Sequence, residues 1–110
     1  MSSGQPISNA SSDAGELMSS LLDSLLDDFE HWFNRGEELL ARCPTHVMAS
    51  DDQQRLADRL LEGRQAIAAT RALVSAASQP MAVSMDAMTP WHGLVTEVWS
   101  LAARLGSVEQ

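Results

Sequence analysis

At 110 residues the chain has room for one hydrophobic core and not for two. An apolar share of 45% with 20% charged residues is that of a globular protein and argues against wholesale disorder. Fifteen carboxylates face seven basic groups, all of them arginine, and the net charge of -8 argues against nucleic acid or an anionic membrane as partner, because phosphate binding needs a basic footprint.

No apolar run approaches the roughly 18 residues that a transmembrane helix needs, and the first residues do not resemble a secretion signal. An intracellular protein is expected; a single cysteine, Cys43, cannot close an internal disulfide and fits a reducing compartment, while an intermolecular bridge stays open. Leu and Ala dominate, Tyr is absent, and the balance leans to helix.

Residues 1–15 are serine-rich, with Pro6, Asn9 and two glycines, and show no apolar period, so a disordered N-terminal tail is expected there. A single helical domain is expected over 16–106, followed by a frayed C-terminus over 107–110. The first helix is predicted over 16–42. Met18, Leu22, Leu25, Phe29, Trp32, Gly36, Leu39 and Cys43 recur by four and three, a seam broadened by Leu26, Phe33 and Leu40, and Pro44 ends it. Seven acids lie between Glu16 and Arg42 against two arginines, Arg35 and Arg42. The sharp reading is a face that steers a basic partner; the simpler one, which we take, is a solvated helix face.

The second helix is predicted over 50–77. Ser50 with Gln53 reads as a capping box, and Asp51 and Asp52 suit the helix dipole. Its seam is Leu56, Leu60, Gly63, Ile67, Thr70, Val74 and Ala77, while Arg55, Asp58, Arg59 and Glu62 offer opposite charges three apart. Folding the two helices back about the 44–49 connection gives an antiparallel hairpin whose facing residue numbers add to roughly 95. Trp32 then covers Gly63, Gly36 faces Leu60, and Phe29 faces Ile67. Large residues meet small ones, as a packed core requires.

The connector over 78–88 is rich in methionine, and a short helical turn would align Met81, Met85 and Met88. The last helix is predicted over 89–105, with Thr89 as N-cap and Pro90 at the first helical position. Trp91, Val95, Val98, Ala102 and Leu105 form its seam, with Leu94 and Leu101 on one side and His92 and Trp99 on the other; Gly106 is placed as a left-handed cap. The expected fold class is therefore all-α, an antiparallel helical hairpin plus a third helix making a three-helix bundle.

No catalytic residues are assigned and no enzyme is expected. Cys43 and His46 are near in sequence, but neither an orienting acid nor an oxyanion donor is evident, and no phosphate loop or zinc spacing occurs. Asp27, Asp28, Glu30 and His31 contain an acid-x-x-His step, yet metal sites of that kind need inward-pointing ligands from several helices, and the seam turns this group outward. No metal site or cofactor is assigned. The alternative reading is a tetrapyrrole or metal bound against Trp91, His92 and Trp99.

The chain offers more apolar area than three seams need, including an exposed-looking Leu61, and surplus apolar stripes mark partner or oligomer faces. The functional reading is a protein-protein interaction module, with His92, Trp99, Met81, Met85, Met88 and Leu61 as candidate partner-binding residues. The partner is another protein, or a second copy in a homodimer through the first helix.

The segment Pro90-Trp91-His92-x-Leu94-Val95-x-Glu97-x-Trp99, together with Leu25-Leu26-x-Asp28-Phe29-x-x-Trp32-Phe33 upstream, resembles a small cyanobacterial family, domain-of-unknown-function family 2605. The likeness covers most of residues 17–105, with both motifs in order and at the right spacing. It implies a cyanobacterial cytoplasmic or thylakoid-associated protein of no established activity, and it brings no catalytic residues.

Overall fold

The structure of the protein, a computed structural model, describes the backbone of residues 4–77 and 85–109 and the side chains of residues 14–77 and 86–106. Three helices follow one another: α1 (Gly4–Ala41), α2 (Ser50–Ala76) and α3 (Met85–Glu109), so the chain is all-α with no strand among the described residues. None of these helices is long and apolar enough to cross a membrane. The backbone of α1 is helical from Gly4, while the side chains of the expected tail before Ala14 lie outside the described residues. The connector residues 78–84, Met81 among them, lie outside as well.

α1 is the central element, since α2 and α3 each contact it far more than they contact one another. Glycine contacts define both pairings. A Cβ on Gly36 would stand 2.9 Å from Leu60, and one on Gly63 would stand 2.6 Å from the ring of Phe33. The numbers in each pair add to 96, so α1 and α2 run antiparallel, within one residue of the expected pairing. Phe29 meets Trp91 and, seven residues on in both helices, Gly36 meets Val98, so α3 runs parallel to α1.

The core contains Leu22, Leu26, Phe29, Phe33 and Leu39 of α1, Leu56, Leu60 and Ile67 of α2, and Met88, Trp91, Leu94, Val95, Val98, Leu101 and Leu105 of α3. The seam expected on α2 is buried from Leu56 to Ile67 and partly buried from Thr70 to Ala77, and that of α3 is buried except at Ala102, with the flanking Leu94 and Leu101 buried beside it. That of α1 is rotated. Leu26 and Phe33, taken as flanking, are fully buried at 0% exposure, whereas Leu25 is 37% exposed, Met18 is exposed and Trp32 is half-buried. The reason is volume. Phe33, not Trp32, fills the hollow over Gly63, and its flat ring packs where the larger indole would force the helices apart.

Four local expectations are not met. The N-cap of α2 is Ala49, which makes no side-chain capping bond. Gln53 instead donates from Nε2 to the carbonyls of Met48 (2.8 Å) and Cys43 (3.1 Å), tying the connection to α2. Arg59 passes over Glu62 and reaches Glu97 on α3. α3 begins at Met85, so Thr89 lies within it and Pro90 is in the sixth position rather than the first. Proline there forgoes a helical hydrogen bond, and the extra turn buries Met88 in partial return. Gly106 lies inside α3, and no glycine among the described residues has a positive φ, so it is not a left-handed cap.

Candidate functional site

Helical spacing puts Phe29, Trp32 and Phe33 on adjoining rows of α1, and Trp91, His92 and Trp99 on adjoining rows of the parallel α3. The rings meet in two groups, one around Phe29 and one around Trp32. Phe29 lies 6.2 Å from Phe33, 5.4 Å from Trp91 and 5.0 Å from His92 between ring centroids, the last two edge-on at 70° and 73°. Trp32 stands edge-on to Trp99 at 5.7 Å and 86°, with His31 against it at 5.1 Å. Such T-shaped geometry brings the positive ring edge to the negative face, a gain of about 0.5–1.5 kcal/mol per pair beyond burial.

Each group runs from the core side toward solvent. Phe29, Phe33 and Trp91 are buried, Trp32 is half-buried, His92 is exposed and Trp99 is 52% exposed. Trp91 thus anchors α3, and His92 and Trp99 lie together along the edge between α1 and α3. Trp99 rests on Trp32, and His92 rests on Phe29.

The other candidates do not join them. Met88 is 2% exposed inside the core and is removed from the partner-binding set, because the early start of α3 turns it inward one turn before Trp91. Met81 lies outside the described residues, and Met85 opens α3 with its side chain outside them. Leu61 is exposed on α2, beside a cleft lined by Glu30, Arg64, Gln65 and Arg71 rather than by any residue of the aromatic edge.

The spacing did not mark Trp32 as an edge residue, nor Leu17, Leu21 and Leu25 as exposed ones. A signal was present in the doubled apolar positions 21/22, 25/26 and 32/33, which supply one more row than a helix with two neighbours can bury.

The acids of α1 are not all left to solvent. Arg71 of α2 donates to Asp27 (2.5 Å) and Glu30 (3.2 Å), and Arg64 donates to both carboxylate oxygens of Glu37 (2.8 and 2.9 Å). Arg59 crosses to Glu97 of α3 at 2.6–2.9 Å. The hydrogen bond that Arg71 donates to Asp27 raises the pKa of its guanidinium above the ordinary value. All these pairs are largely exposed, so each contributes only about 0–1 kcal/mol. They orient α2 more than they hold it.

Asp27 and Glu30, half of the acid and histidine group weighed for metal, are taken up by Arg71, and among the described residues no group of three or more His, Cys, Asp or Glu is arranged for an ion. The Cys43 thiol, half-buried at the end of α1, donates to the Pro44 carbonyl at 3.5 Å. An open cleft at the far end of the bundle is lined by Met48, Asp52, Arg55, Leu56, Glu97 and Arg104, a mixed set of charges away from the aromatic edge.

No curated protein and no solved structure matches the chain. A family model described as Protein of unknown function (DUF2605) matches residues 12–107, which span the packed bundle, and the chain belongs to that family.

Proposed function

We propose that the chain is a non-enzymatic protein-protein interaction module, and that the edge formed by Trp32, His92 and Trp99 is where a protein partner contacts it. The observation that carries this reading is the exposure of Trp99, an indole packed on a second indole with half its surface open. Tryptophans held rigidly in this way are the side chains that dominate binding at protein interfaces, because they bring large area at little cost in ordering. The family resemblance alone carries the setting we assign, the cytoplasm or thylakoid surface of a cyanobacterial cell.

The test is affinity capture from native extract with the natural chain and with Trp99→Ala, each checked for helix content and melting. A partner retained by the natural chain and lost by a folded Trp99→Ala variant supports the reading. A variant that keeps every captured partner removes the edge from consideration.

A further inference from the structure

We draw no further inference here: the strongest candidate, the exposed apolar row of Leu17, Met18, Leu21 and Leu25 along α1, carries none, because nothing in the structure shows what covers it.

Discussion

The indole of Trp99 stands edge-on to that of Trp32, with centroids 5.7 Å apart and planes at 86°. One ring is half-buried and the other half in solvent, so the pair lies at the margin of the core rather than within it. Trp99→Ala should therefore cost only about 0.5–1.5 kcal/mol, the value of the ring pair with little burial added. Thermal melting followed by circular dichroism should show a cooperative transition a few degrees lower, while the emission of Trp32 shifts to the red. A variant that no longer folds would place Trp99 in the core.

Neighbouring leucines on α1 separate the buried row from the open one. Leu26→Ala should cost about 2–5 kcal/mol, as for a fully buried leucine that leaves a cavity, whereas Leu25→Ala should cost well under half of that. Equal losses in denaturant titrations of the two variants would contradict the orientation of α1.

Gly63 sits under Phe33, where a Cβ would come 2.6 Å from a ring carbon that has little room to swing aside. Overpacking of about 1–3 kcal/mol outweighs the gain of up to about 1 kcal/mol that alanine brings to a helix. Gly63→Ala should thus destabilise, Gly63→Leu more so, and Phe33→Leu should recover part of the loss when combined with Gly63→Ala. Additive losses in the double-mutant cycle would count against direct contact.

Gly93 gives the opposite sign. Nothing lies within 4 Å of a Cβ built there, on the exposed side of α3. Gly93→Ala should stabilise by about 0.5–1 kcal/mol, seen as a rise of several degrees in Tm.

The bridge from Arg71 to Asp27 and Glu30 is weak and insensitive to alkali. Because the folded pKa of Arg71 is raised, its contribution is complete below the unfolded arginine value and disappears only as pH climbs through the folded one. Arg71→Gln should lower stability by less than about 1 kcal/mol, equally at pH 7 and about pH 10, and the loss should shrink in high salt. A deficit that grows between those pH values would point to a different titrating group.

Three helices, the antiparallel hairpin and the pairing of Gly36 with Leu60 were legible in the sequence alone, because each depends on local information: apolar period, a proline stop and the length of a connection. The same information expected His92 and Trp99 together on one edge of α3, since residues seven apart share a helix face. What it left undetermined was the rotation of α1. Leu21, Leu22, Leu25, Leu26, Trp32 and Phe33 make two adjacent apolar rows, and periodicity ranks neither above the other. Only the third dimension decides between them, since the hollow over Gly63 accepts Phe33 and the parallel approach of α3 receives Trp32 at its flank. The start of α3 and the role of Gln53 were also tertiary decisions, where burying Met88 and bridging two loop carbonyls outweighed the local capping signals.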